Sequence, residues 1–97
     1  MPKYARRVDD NQSRVVAALR AILGVSVTIL SMCGEGVPDL LVGFKGRNYL
    51  FELKDPKQVP SKRVLTPAQV KWHAAWTGQV HAVETFEEIL AIVMGDE

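Results

Sequence analysis

The spacing of apolar residues changes several times along this chain, and each change marks an element. Val15, Val16, Leu19, Ile22 and Leu23 recur at helical spacing, while Arg14 and Arg20 fall outside that set. Asp9-Asp10-Asn11-Gln12 supplies a helix start, with Asp9 as N-cap and Gln12 three residues later, and Gly24 supplies the stop. The period then shortens to two. Val25, Val27 and Ile29 predict a strand reaching about Ser31, before a glycine-rich turn, Cys33-Gly34-Glu35-Gly36. Leu40, Val42 and Phe44 predict a second strand, and Tyr49, Phe51 and Leu53 a third. Lys45-Gly46 makes the tight loop between them, with glycine accepting positive φ.

After the third strand comes a basic, proline-punctuated loop from Asp55 to Leu65. Thr66-Pro67-Ala68-Gln69 is a helix start: N-cap threonine, proline at the first helical position, and glutamine at the capping-box position. That helix runs to about Trp76 and stops before Gly78. Val80 to Val83 predicts a short strand, and Thr85 caps a last helix, Phe86 to Met94, with Glu88 at its box position. The order is α-β-β-β-α-β-α, an α/β chain.

The hairpin carries the chemistry. A loop centred on Lys45-Gly46 pairs Phe44 with Arg47, and the same register sets Asp39 opposite Glu52. Facing Cβ atoms on antiparallel strands lie roughly 4.5–5.5 Å apart. Lys54, two residues beyond Glu52, points to the same face. Two carboxylates and an ammonium thus converge. Facing like charges destabilise a sheet unless something positive sits between them, and a divalent cation is the economical answer. Mg²⁺ or Mn²⁺ takes oxygen ligands and needs only one or two protein carboxylates. Asp39 and Glu52 supply that pair, and the carbonyl of Leu53 could add a third oxygen. A cation so held can polarise a phosphoryl group and activate water, with Lys54 orienting the water and balancing the growing negative charge.

The order Pro38-Asp39, then Glu52-Leu53-Lys54, resembles the PD-(D/E)xK nuclease superfamily. The resemblance narrows to its virus-type replication-repair (VRR) nuclease domains over about Asp9 to Met94. It is carried by the Asn11-Gln12 helix, Gly36-Val37-Pro38-Asp39-Leu40, Phe51-Glu52-Leu53-Lys54, Thr66-Pro67-x-Gln69-x-x-Trp72 and Trp76-x-Gly78-x-Val80. It implies a restriction-endonuclease-like core, a mixed central sheet flanked by helices, in one domain from residue 9 to 97 behind a basic segment, 1–8. The implied activity is a metal-dependent DNA endonuclease of replication or repair, acting on Holliday junctions or flaps as a homodimer. Many superfamily members place a glutamate in the first helix; here Gln12 is the positional match and Asp10 the alternative. Glutamine ligates or hydrogen-bonds through its carbonyl oxygen and adds no charge.

Composition bounds this reading without adding to it. The chain has 97 residues, 47% of them hydrophobic, enough for one small core. No apolar run approaches the ~20 residues that span a bilayer. The basic start lacks the apolar stretch of a signal peptide, and a single cysteine fits a reducing cytosol, the host's if the chain is phage-encoded. Net charge is only +1, so distribution matters more than total. Arg6 and Arg7 at the start, and Lys57, Lys62 and Arg63 near the proposed site, form a basic stripe suited to phosphate.

Other residues carry more than one reading. Gln69 fits a helix cap; by the resemblance it fits a polar partner of Lys54 near the reacting phosphate. The two roles compete for one side chain. Trp72 and Trp76 share a helical face, as core or interface residues do. His73 and His81 lack the companions of a zinc site. The alternative function is a non-catalytic DNA-binding or assembly module that retains the nuclease fold.

Overall fold

The hairpin organises the rest of the molecule. In the computed structural model, which describes residues 10–95, Leu40–Phe44 (β2) and Arg47–Leu53 (β3) pair antiparallel. Lys45 and Gly46 both take positive φ, 52° and 80°, as a two-residue type I′ turn requires. Phe44 pairs with Arg47 and Leu40 with Phe51, so the register is the one alternation predicts. Val25–Ile29 (β1) pairs antiparallel with β2, and His81–Val83 (β4) pairs parallel with β3. The result is a four-stranded mixed sheet in the order β1-β2-β3-β4.

Alternation sends Leu40, Val42, Tyr49, Phe51 and Leu53 to one face, where all are buried. Asp10–Arg20 (α1) covers that face with Val15, Val16 and Leu19, and Phe86–Gly95 (α3) with Ile89 and Val93. Each such side chain contributes roughly 1.5–3 kcal/mol on burial, so this layer carries most of the fold's stabilisation. Thr85 and Glu88 close a capping box at the start of α3, as expected.

Three details depart from the sequence reading. Helix α1 ends at Arg20, and residues 21–24 make a turn, closed by Ile22 N–H donating to Leu19. Leu23 consequently points outward, 96% exposed, and is not a core residue. The proline-rich loop contains a short 3₁₀ turn, Pro60–Lys62. Asp9, the expected N-cap, lies outside the described residues, as do Arg6 and Arg7.

Parallel pairing of β3 with β4 requires a crossover, and Pro67–Ala75 (α2) lies on it. Helix α2 buries no residue completely. Its first turn abuts the backbone of Gly36, where a Cβ would collide with the carbonyl oxygen of Ala68. Glycine is required there for the close approach and for φ of +84°. That contact sets the start of α2 near the carboxylate end of the hairpin.

Candidate active site

Asp39 precedes β2 by one residue, and extending the Leu40–Phe51 register places it opposite Glu52. Its backbone carbonyl accepts from Leu30 N–H at 2.6 Å, continuing the β1 pairing. Its carboxylate turns to the other neighbour: Oδ2 accepts from Leu53 N–H at 2.8 Å, and Oδ1 from Ser31 Oγ at 3.4 Å. In an extended strand a residue's N–H and C=O point the same way. The Leu53 carbonyl therefore also points to the β2 side, just past the end of the hairpin ladder.

Glu52 lies on the sheet face opposite Phe51 and Leu53, and is 3% exposed. Its Oε2 accepts from Gln69 Nε2 at 2.9 Å and faces Lys54 Nζ at 3.7 Å. Its Oε1 is buried with no hydrogen-bond partner. Burial, and then the negative charge of Asp39, push the Glu52 carboxyl up to about 8, against a smaller pull from Lys54. A buried carboxylate oxygen without a donor is costly. Such a pair of hard oxygen donors, held together and destabilised by each other's charge, fits a hard divalent cation, with the Leu53 carbonyl as a further oxygen. Among the described residues no third acidic, histidine or cysteine side chain joins them. Glu35 is exposed on its turn, in the left-handed region with φ of 55°.

Lys54 shares the face of Glu52, as alternation requires, and its Nζ donates to Gln69 Oε1 at 2.8 Å. Gln69 overturns the expectation that one side chain must choose between two roles. The same Oε1 accepts from Thr66 N–H at 2.9 Å, and Gln69 N–H donates to Thr66 Oγ1, completing the capping box of α2. A carbonyl oxygen has two lone pairs, so one can serve the cap and the other Lys54, while the amide nitrogen serves Glu52. Thr66 N–H also settles the carboxamide's orientation: Oε1 must face a donor, which leaves Nε2 for the carboxylate.

Gln12 is buried, 6% exposed, and donates through Nε2 to Ser31 Oγ at 3.0 Å. Asp10, the alternative, is exposed and lies 4.0 Å from Arg14 on the surface of its own helix, not on the carboxylates. Asn11 donates to the carbonyls of Lys54 and Glu84, at 3.3 and 3.2 Å, and so clasps the ends of β3 and β4. Ser31 escaped the sequence reading except as a strand end. The continued β1–β2 register, which sets Leu30 opposite Asp39, was its one signal, and the irregular Cys33–Gly36 turn conceals that register in the sequence.

The basic stripe divides. Lys57 and Lys62 are exposed. Arg63 is half-buried, 3.7 Å from Glu84, with its Nε enclosed and unpartnered. Trp72 and Trp76 stack at 4.7 Å between ring centroids, but neither is buried and Trp76 is 45% exposed, so they are not core residues. His73, one turn after Gln69, is kept below the usual histidine range by burial and then by Lys54. Its Nε2 is buried without a partner.

No family model matches the chain, and no curated protein does either. Among solved structures, one described as a VRR_NUC domain is similar over 89% of this chain and 92% of its own, with a TM-score of 0.61 and 27% identity. Element order, mixed sheet and flanking helices agree with the architecture the sequence resemblance implied. The nuclease-like fold built by residues 10–95 is therefore similar to that of a VRR_NUC domain.

Proposed function

We propose that this domain is a metal-dependent DNA endonuclease that hydrolyses phosphodiester bonds. The observation that carries the reading is the facing Asp39–Glu52 pair, in which Glu52 is buried with one unpartnered oxygen, beside an ammonium bridged to it by Gln69. Asp39, Glu52 and the Leu53 carbonyl would hold Mg²⁺ or Mn²⁺, which supplies Lewis-acid polarisation of the phosphate and lowers the pKa of water. Lys54 has one proton on Gln69 and another directed toward Glu52, and the third is available to a phosphoryl oxygen or the attacking water. Its charge offsets the negative charge that grows as water attacks phosphorus and the P–O bond to the leaving oxygen breaks. Gln69 holds Lys54 and Glu52 in fixed relation, so little reorganisation accompanies the reaction.

Exposed Lys57 and Lys62 sit on the loop that follows Lys54 and are suited to backbone phosphates. Arg6 and Arg7 are the other phosphate contacts of the proposal, with residues 9–97 as one nuclease unit. A homodimer would present two such sites to two strands, the arrangement branched DNA such as a junction or flap calls for. Among the described residues no helix is long and apolar enough to cross a membrane.

The test is cleavage of labelled four-way junction, flap and linear duplex DNA with Mg²⁺, Mn²⁺ or EDTA. Metal-dependent cutting is expected, with Lys54→Ala reducing the rate about 10²–10³-fold, the usual cost of losing one transition-state charge partner. DNA binding without cutting by the folded wild-type chain would instead identify a non-catalytic module.

A further inference from the structure

We propose that Ser31 is a positioning residue for Asp39, and that the helix-one glutamine acts on the site through it. The proposal rests on the metal-site reading above. Asp39 Oδ2 is fixed by a backbone N–H at 2.8 Å, which leaves the rotation of the carboxylate to whatever meets Oδ1. Ser31 Oγ meets it at 3.4 Å. The same oxygen receives Gln12 Nε2 at 3.0 Å and lies 3.3 Å from Gln12 Oε1. A hydroxyl has a single proton to give. Gln12 already donates to this oxygen, and a carboxylate is the stronger acceptor, so the proton goes to Asp39. The path runs from α1 to the end of β1 to the start of β2, and joins three elements at one carboxylate.

This arrangement explains how a neutral side chain can stand where many superfamily members carry a glutamate. Gln12 adds no charge to the site. It orients a hydroxyl, and the hydroxyl orients the charge already present on Asp39. Partners of this kind, one step removed from a cation, typically change metal affinity by roughly 10–100-fold when removed.

Mn²⁺ binding to the intact chain, followed by electron paramagnetic resonance, tests the idea with wild type, Asp39→Asn, Ser31→Ala, Ser31→Thr, Gln12→Ala and the Ser31→Ala/Gln12→Ala double variant. The long contact to Asp39 points to the lower end of that range, about tenfold weaker binding for Ser31→Ala. Ser31→Thr restores the hydroxyl and binds as wild type does, and Gln12→Ala adds nothing once the serine is gone. Wild-type affinity in Ser31→Ala, failure of threonine to rescue a folded Ser31→Ala, or an added loss in the double variant overturns the proposal. Ser31→Cys, with a weaker donor, takes the place of alanine if the alanine variant does not fold. If wild type does not bind Mn²⁺, or Asp39→Asn binds as tightly as wild type, the metal-site reading is what fails. The ¹³Cγ resonance of Asp39 in metal-free protein then judges Ser31 by itself. It shifts in Ser31→Ala and returns in Ser31→Thr if the hydroxyl holds the carboxylate; no shift refutes the contact.

Discussion

The two faces of the β2–β3 hairpin are built from alternate residues of the same fifteen-position stretch, Asp39 to Leu53, yet they do opposite work. One presents Leu40, Val42, Tyr49, Phe51 and Leu53 to α1 and α3 and is closed. The other presents Asp39, Leu41, Leu50 and Glu52 beneath a helix that buries nothing completely. The first face gains free energy from burial. The second gives some of it back by enclosing a carboxylate beside another carboxylate. The stable face makes the unstable one possible, because a period of two ties the position of every charged residue to its apolar neighbours.

Breaking the stable face produces the largest effect. Phe51→Ala should cost about 3–5 kcal/mol, a large part of a small domain's stability, and should lower the urea midpoint sharply. Leu50→Ala, next to it but on the half-open face, should cost clearly less. Equal losses would show that the two faces are packed alike.

The charged face should instead reveal itself through pH. The Glu52 carboxyl, at about 8 in the fold against an ordinary 4.5, keeps its proton where the unfolded chain has lost it. Stability from this group is full below pH 4.5 and is lost as pH rises through about 8. His73 acts in the opposite sense, because its lowered value removes stability as pH falls below the ordinary 6.5. In EDTA, the wild-type Tm should therefore fall between pH 6.5 and 8 by on the order of 5 °C or more, while Glu52→Gln stays nearly flat. Adding Mn²⁺ at pH 8 should restore the wild type and leave Glu52→Gln unchanged. A wild-type curve as flat as the variant's would remove the charge conflict from this face.

Smaller changes separate cap from chemistry. Thr66→Ala should cost about 1 kcal/mol through the start of α2 and leave cleavage within a few-fold. Gln69→Ala should cost comparable stability but lower cleavage by roughly 10–100-fold, since it also releases Lys54 and Glu52. Parallel losses in both variants would make Gln69 a cap alone. Smallest of all is Arg63→Ala. Its half-exposed pair with Glu84 is worth at most about 1 kcal/mol, and DNA affinity should fall less than in Lys62→Ala.

What was legible in the sequence follows the same division. Alternation and a Lys-Gly turn determine the register, and the register determines the Asp39–Glu52–Lys54 grouping without any knowledge of packing. Residues whose roles depend on how separate elements meet were not legible. Ser31 gains its place from the β1–β2 register, hidden by an irregular turn. Gln69 was read as having to choose because its two partners, Thr66 and Lys54, are brought to one oxygen only by the docking of α2. Leu23 continued the helical period past the point where the backbone turned away. Arg63 looked like a free cation because Glu84, its partner, lies 21 residues along the chain, across the crossover.

The clasp made by Asn11 has a consequence for how the site comes into being. Every proposed catalytic side chain lies within residues 12–69, so a chain emerging during synthesis holds the full set before β4 exists. Yet Lys54 N–H finds its acceptor on Val83, and the second bond of Asn11 reaches Glu84. A nascent chain halted at residue 80 would carry the chemistry without the frame that aims it. On the proposed function, competence to cut is thereby tied to completion of the sheet, and an unfinished copy of the domain would be a poor nuclease by construction.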